Sequence, residues 1–344
     1  MDRGIDPGQD RANGQAARKD PAPRGDSIIE NNPSHPGGPA RPLDFVFLLR
    51  PMILIPVWTF YLLGAHHGST SSGQQIQLQN LLVGFASFTA LLGAIYIINQ
   101  IADRKADLAN RKLFLIPQSI ITLRAAWLET GLLAAVSLLA GLFFLSPGYF
   151  WILISSLALG AIYSLEPVRL KKRPFFDVTA NAVGNGVLNT MAGWLAIGAP
   201  LSGLTVLLPY PLAVASVHLT TTLADIEGDM HSGLKTSGVL LGPHRGIMIS
   251  TGLMIAAVAS AALVGNRLAF YASLFSLPIF LLPAYSVRKA FSPSGILLPA
   301  KAATLIFSVT AGFLFPLYIP FVALVILFTR LYYRRRFQMS YPSF

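Results

Sequence analysis

Apolar residues in this chain are gathered into long runs. They cover Leu43 to Gly64, Leu78 to Ile98, Ile116 to Leu145, Gly148 to Leu165, Phe175 to Ile197, Leu201 to Leu223, Gly246 to Gly265, Leu268 to Val287 and Ala302 to Leu331. Most are long enough to cross a hydrocarbon core, which takes about 20 residues as a helix. None shows barrel-type alternation, and in lipid only a helix or a closed barrel satisfies its own backbone polar groups. The pattern predicts an all-α polytopic membrane protein with about nine transmembrane helices. The last run is long for one span and carries Pro316 and Pro320, so one kinked helix and two shorter ones both fit it.

Composition agrees with that class. Hydrophobic residues make up 53% of the chain, charged residues only 12%, and mean hydropathy is +0.57, whereas soluble domains carry about a quarter charged residues. Residues 1–42 are rich in Gly, Pro, Asp and Arg, lack an apolar signal core, and are expected to form a disordered cytoplasmic extension. The transmembrane domain is expected over 43–333, followed by a basic tail over 334–344. With no cysteine, disulfides and thiolate metal sites are excluded.

The net charge of +11 changes meaning once it is located. The extension's six basic and six acidic residues cancel, which leaves the excess beside the membrane. With the N-terminus in the cytoplasm, the inner ends and loops hold Arg50, Arg104, Lys105, Arg111, Lys112, Arg124, Arg169, Lys171, Lys172, Arg173, Lys235, Arg245, Arg288, Lys289 and Lys301, and the outer loops only Arg267. This positive-inside asymmetry sets the orientation, in a bacterial or archaeal cell membrane. It argues against a nucleic-acid partner, which needs a continuous basic face.

Carboxylates near a bilayer core are costly and usually functional. Of nine acids after residue 42, five fall in two short segments: Asn99-Gln-Ile-Ala-Asp103-Arg-Lys-Ala-Asp107 and Asp225-Ile-Glu227-Gly-Asp229. Residues four apart share a helix face, so Asn99, Asp103 and Asp107 form one polar stripe and Asp225 and Asp229 another, at the same depth on separate spans. Such clusters repel unless a cation sits among them. All-oxygen donors select a hard ion such as Mg²⁺, which keeps waters and recruits a phosphate. Basic donors for a diphosphate are at hand in Tyr163-Ser-Leu-Glu-Pro-Val-Arg169-Leu-Lys171-Lys172-Arg173-Pro174 and at Lys235.

At these residues the chain resembles the UbiA superfamily of membrane prenyltransferases, over roughly Leu43 to Leu331. The matching pattern is Arg50-Pro51, the Asn99, Asp103, Asp107 spacing, the string from Tyr163 to Lys171, and Asp225 to Asp229 followed by Gly233-Leu-Lys-Thr. The resemblance implies nine transmembrane helices around a central cavity, with the two acidic motifs facing each other at the cytosolic side. It implies that Asp103, Asp107, Asp225 and Asp229 hold two Mg²⁺ ions, and that Asn99, Arg50, Arg169, Lys171 and Lys235 hold the oxygens of a prenyl diphosphate. Tyr163 would sit near the allylic carbon. The chain departs from the common pattern at Gln100, where many members have Asp, and at Glu166, where many have Pro. The strings Arg173-Pro-Phe-Phe-Asp177-Val-Thr-Ala-Asn181, Gly233-Leu-Lys-Thr-Ser-Gly-Val and Tyr332-Tyr-Arg-Arg-Arg-Phe look most like the lycopene elongase branch, which acts on carotenoid ends. Quinone-type, chlorin and glycerolipid acceptors stay open.

The expected function is Mg²⁺-dependent transfer of an isoprenoid group to an apolar, lipid-soluble acceptor, within membrane lipid. Asp177, Asn181, Asn185 and Asn189 recur at four-residue spacing along the fifth run; they would either border the acceptor cavity, with Asn181 and Asn185 binding it, or hydrogen-bond neighbouring helices. His218 and Thr222 continue the stripe toward Asp225, and His66 and His67 are expected in an outer loop. A cation-coupled transporter would spread its acids through mid-membrane depth and show an internal repeat, neither of which is seen here. An isoprenoid cyclase is a closer rival. A CDP-alcohol phosphotransferase is disfavoured by the missing Asp-Gly-x-x-Ala-Arg string.

Overall fold

A computed structural model describes residues 38–109, 115–231, 233–286 and 293–342. Among these the chain is helical, with no strand. Arg111, Lys112, Arg288 and Lys289, used above for orientation, and residues 1–37 of the expected extension lie outside the described residues.

The chain enters through a short helix α1 (Pro42–Leu48), whose first turn is closed by the backbone N–H of Arg41 donating to Asp44 at 2.8 Å. Arg50 adopts a left-handed φ of 56°, Pro51 occupies the first helical position where its missing N–H costs nothing, and α2 (Pro51–Ser72) leaves at 50° to α1. Helix α3 (Leu78–Ala109) follows. At 32 residues it is about 48 Å long, against about 30 Å for a hydrocarbon core, so its C-terminal turns overhang. Helices α4 (Leu123–Phe144) and α5 (Pro147–Ser164) start on serine or threonine caps, Thr122 and Ser146. The fifth run is composite: α6 (Phe176–Asn181), one π-helical stretch Ala182–Leu188, and α7 (Asn189–Ala196).

Helix α8 (Pro209–Ala224) ends at Asp225, and the short α9 (Ile226–His231) continues from it. Helix α10 (Ser237–Leu263) is kinked at Gly242, whose φ of 69° precedes Pro243. The chain ends with α11 (Arg267–Ser286), α12 (Pro293–Leu314) and α13 (Tyr318–Phe337).

The main core is built around α2, α3, α7 and α8. A Cβ on Gly64 would lie 1.8 Å from the Thr190 carbonyl oxygen and one on Gly193 1.7 Å from that of Tyr61, so α2 and α7 touch backbone to backbone. Large residues fill the rest: Trp194, Tyr61, Tyr149 and Tyr210 are fully buried, and their polar tips bond Pro200 O, Leu81 O, Gly84 O and His67. By contrast Leu128, Leu132, Phe143 and Phe144 on α4 are exposed, as expected for a face turned to lipid.

Six described helices are long and apolar enough to cross a membrane, and seven if the bent α1–α2 pair is one span. The expected nine is not reached by this criterion: the fifth run is divided into short helices, α11 is apolar only from Arg267 to Pro283, and α13 carries four arginines. The C-terminal run is two helices, not one. Tyr318 bonds Thr59 and Ile55 of α2, and Arg336 and Tyr332 reach the buried Asp44 at 3.2 and 2.7 Å, bringing the end of α13 back to α1. The first residues of the basic tail continue helix α13 through Phe337, and Gly38 and Pro39 accept hydrogen bonds from Arg336. His66 and His67 lie on α2, not in a loop; His67 is buried against Tyr210 at 2.7 Å.

Candidate active site

The overhang of α3 and the break between α8 and α9 meet at one end of the bundle, around a cavity of about 590 Å³. Asp103 and Asp107 of α3, Asp225 and Asp229 of the α8–α9 break, and Tyr163, Arg169 and Lys171 all line it. The two stripes differ from expectation in one respect. Asp103 and Asp107 ride on a continuous helix, whereas Asp225 terminates α8 with φ −93° and ψ 3°. The Asp229 N–H still donates to the Asp225 carbonyl at 2.9 Å, so the four-residue spacing survives as one turn across the break.

Asp103 is gripped by cations. Arg169 Nη2 lies 2.8 Å from Oδ1 and Lys171 Nζ 2.5 Å from Oδ2, and Arg169 also donates to the exposed Glu166 at 3.0 Å. Arg169 takes this position from a left-handed backbone, φ 43°, entering a 3₁₀ turn Leu170–Lys172. Burial pulls the Lys171 ammonium below the usual lysine range, and the Asp103 carboxylate works against that shift. The Glu166 carboxyl is held low by its hydrogen bond from Arg169. The Nε of Arg169 is buried without a partner, a donor left over beside the cavity.

On the other wall Asp229 and Asp177 meet hydroxyl and backbone donors. Thr236, the cap of α10, donates to Asp229 Oδ2 at 2.8 Å. Asp177 is buried and accepts from the Ser237 and Val178 N–H groups, each at 2.8 Å, and from the Ser237 hydroxyl. It belongs to this latch and not to a stripe shared with the asparagines.

The asparagines form a directed chain. Asn189 Nδ2 donates to Asn185 Oδ1 and Asn185 Nδ2 to Asn181 Oδ1, each at 3.1 Å. Asn181 Nδ2 faces the Asp177 carbonyl at 3.1 Å, Tyr163 Oη at 3.0 Å and His218 Nε2 at 3.1 Å. A carbonyl only accepts, so this contact fixes the direction of the whole ladder. Neither Asn181 nor Asn185 lines the cavity; their amides are taken up by one another and, through Asn181, by α5 and α8. These contacts are of the kind the helix-bonding alternative expects, and through Asn181 they reach Tyr163 and His218 at the cavity wall.

Three other candidates also stand back from the wall. Asn99 donates to Ser164 at 3.2 Å, one turn before Asp103; Arg50 sits at the α1–α2 break; Lys235 is exposed beside Thr236. Their residue types matched the expectation, but spacing along the chain does not say where a long side chain ends. Conversely Arg104, Lys105, Lys172, Thr222 and Thr236 do line the cavity. Thr236 could have been noticed as a helix-capping threonine directly after the acidic motif. Gln100 has a role of its own: its Nε2 donates to the Leu48 carbonyl at 2.8 Å, tying α1 to α3, which an aspartate could not do.

Among the described residues no group of three or more His, Asp or Glu side chains closes on a point as a ready-made metal cage. The donor chemistry nonetheless fits Mg²⁺. That ion is usually held by one or two carboxylates, waters and substrate phosphates, not by an all-protein cage, and acids on facing walls leave room for the rest.

The sequence compares as the geometry does. The profile of the UbiA prenyltransferase family matches residues 53–296. The chain belongs to that family. Bacteriochlorophyll synthase 34 kDa chain of Chloroflexus aurantiacus is 28% identical over 222 residues, 63% of this chain and 70% of its own. A probable homogentisate phytyltransferase of Oryza sativa is 30% identical over 55% of this chain and 53% of its own, and lycopene elongase/hydratase of Haloferax volcanii 28% over 51% and 57%. The matches thus span about half the length of the latter two. A UbiA homologue from Archaeoglobus fulgidus, solved with GPP and Mg²⁺ and with DMAPP and Mg²⁺, superposes with TM-scores of 0.63 and 0.64. Identity is 23 and 24%, and the match covers 78% of this chain and 97–98% of that one. The chain is therefore an integral membrane prenyltransferase, all-helical and of UbiA fold.

Proposed function

We propose that this enzyme transfers an isoprenoid group from an allylic diphosphate to an apolar acceptor, with Mg²⁺ held by Asp103, Asp107, Asp225 and Asp229. The observation that carries it is the meeting of two acidic walls and two basic side chains, Arg169 and Lys171, on one cavity. Bound Mg²⁺ supplies charge neutralisation on the leaving diphosphate, typically a dominant contribution in such chemistry. Arg169 and Lys171, which hold Asp103 here, would donate to the diphosphate oxygens, with the unsatisfied Arg169 Nε as a further donor. Tyr163 is held by Asn181 at the wall where the allylic carbon would lie, and closure of the apolar interior keeps water from the cation until the acceptor captures it. Arg50, Asn99 and Lys235, which do not line the cavity here, would reach the diphosphate only if their side chains turned toward it. In this reading the acidic end faces the cytoplasm, supported by the basic residues at that end.

For the acceptor we favour a carotenoid end group. The support is the similarity to lycopene elongase/hydratase and the sequence strings at Arg173–Asn181 and Tyr332–Phe337; the relative acting in bacteriochlorophyll synthesis makes a chlorin the second candidate. Membranes carrying the enzyme, Mg²⁺ and a labelled allylic diphosphate are offered lycopene, chlorophyllide or a quinone precursor. Label in the carotenoid fraction supports the first acceptor, and label confined to another fraction replaces it. No label in any fraction with Mg²⁺ present removes the transfer proposal itself.

A further inference from the structure

The two acidic walls are tied to each other through the segment between α5 and α6. Its start grips Asp103 through Arg169 and Lys171. Its end is clamped to the start of α10: the Phe175 N–H donates to Ser237 Oγ at 2.7 Å, and Asp177 accepts from both the N–H and the hydroxyl of Ser237. The next residue back, Thr236, donates to Asp229 Oδ2. Ser237 and Asp177 are 0 and 1% exposed, and Thr236 is 6% exposed, so the clamp works away from water, where an unmade hydrogen bond is expensive.

We infer that Asp177, Ser237 and Thr236 form a brace that sets the aim of Asp229 and its spacing from Asp103, making Thr236 and Asp177 positioning residues for the metal. The inference rests on the proposal that Asp229 is a metal ligand. Direction is fixed by chemistry: a carboxylate only accepts, so the Thr236 hydrogen points at Asp229 while the hydroxyl oxygen takes the Val239 N–H of the α10 first turn. The positive end of α10 is thereby passed through one hydroxyl to one carboxylate oxygen. This hydrogen bond orients one Asp229 oxygen through a hydroxyl, whereas both Asp103 oxygens accept from charged groups. Asp177 holds the turn itself, through a buried carboxylate at the cavity that accepts from Ser237 and Val178.

The test is Mn²⁺ binding to the full-length chain in lipid nanodiscs, followed by electron paramagnetic resonance with Mn²⁺ as the only added ligand. Thr236→Val, of equal volume, should weaken Mn²⁺ about 10- to 100-fold, the usual loss when a group orienting a metal ligand is removed. Thr236→Ser, which restores the donor, should recover most of that loss. Asp177→Asn, which cannot accept from both Ser237 groups, should also weaken Mn²⁺, and carries the test should the valine variant fail to fold. Asp229→Ala is the reference. If it loses Mn²⁺ while Thr236→Val and Asp177→Asn bind as the parent does, the brace is wrong and the metal site stands. If Asp229→Ala itself binds as the parent does, the metal reading fails and takes the brace with it.

Discussion

Asp103 on α3 and Asp229 beyond the α8–α9 break line one cavity, and the donors described at each differ in kind. Asp103 is fixed by two full charges, Arg169 at 2.8 Å and Lys171 at 2.5 Å, whereas Asp229 is fixed by a neutral hydroxyl at 2.8 Å. A charge pair can be exchanged: a diphosphate competes for the same guanidinium and ammonium, and a metal for the same carboxylate. A hydroxyl with its oxygen engaged by a helix N-terminus has no such second partner. The two contacts on Asp103 can therefore be exchanged for substrate or metal contacts, whereas the Thr236 hydroxyl carries no charge to exchange.

The sharpest way to break this comparison is to remove an acid from each wall. Asp103→Ala and Asp225→Ala should each lower turnover by at least about 10²- to 10³-fold, since both remove stabilisation of the departing charge. Product formation from labelled allylic diphosphate in membranes measures it, and near-parental activity in either variant removes that residue from the metal site. Metal removal should act on both walls at once. Chelation by EDTA should abolish turnover and added Mg²⁺ restore it; activity that persists in EDTA would leave the acids without their assigned work.

Next in size is Arg169→Ala. It deletes charge-assisted hydrogen bonds of about 1.5–3 kcal/mol each, so the KM for diphosphate should rise roughly 10- to 100-fold. Arg169→Lys should recover only part of this, because a point charge cannot replace the fork that spans Asp103 and Glu166. An equal loss of kcat with an unchanged KM would mean that Arg169 positions Asp103 and does not touch substrate.

Asn185→Leu sharpens the comparison from outside either wall. It leaves Asn181 Oδ1 without its donor and Asn189 Nδ2 without its acceptor, a cost of about 1–3 kcal/mol. Stability should fall, read as a lower Tm in detergent, while acceptor preference stays the same. A changed preference with an unchanged Tm would return these asparagines to the acceptor site.

The smallest effect concerns Glu166. Its carboxyl is held below the ordinary value of 4.5 by Arg169, so its contribution to the loop is present above that value and lost as pH falls through the lower folded one. Being fully solvent-facing, it should change proteolytic nicking of the α5–α6 loop only in acid, with Glu166→Gln nicked at neutral pH as the parent is in acid. A loop equally resistant at all pH values would show that Asp103 alone anchors Arg169.

Much of this was legible along the chain, for definite reasons. Lipid forces backbone pairing into helices, so the apolar runs marked most of the helices. Period 3.6 put Asp103 and Asp107 on one face, and cost in lipid singled out the acids. The count of spans was less legible, because a run of apolar residues does not report the bend at Arg50, the π-helical stretch after Asn181 or the turn at Phe315 that splits the final run. Arg50 is singled out by the family resemblance and Lys235 by its charge beside the acidic motif, and neither signal says how far a side chain reaches. Asp177 was placed in the wrong company because four-residue spacing to Asn181 is local, while its partner Ser237 is 60 residues away.

What the sequence determined by itself was which residues are too costly to be in a membrane without employment, and the class of chemistry that could employ them. Which acid meets which donor was decided only in three dimensions. Hydrogen bonds and ion pairs are made over about 3 Å between groups brought together by packing, and neither the Arg169 grip on Asp103 nor the Thr236 grip on Asp229 leaves a periodicity in the chain.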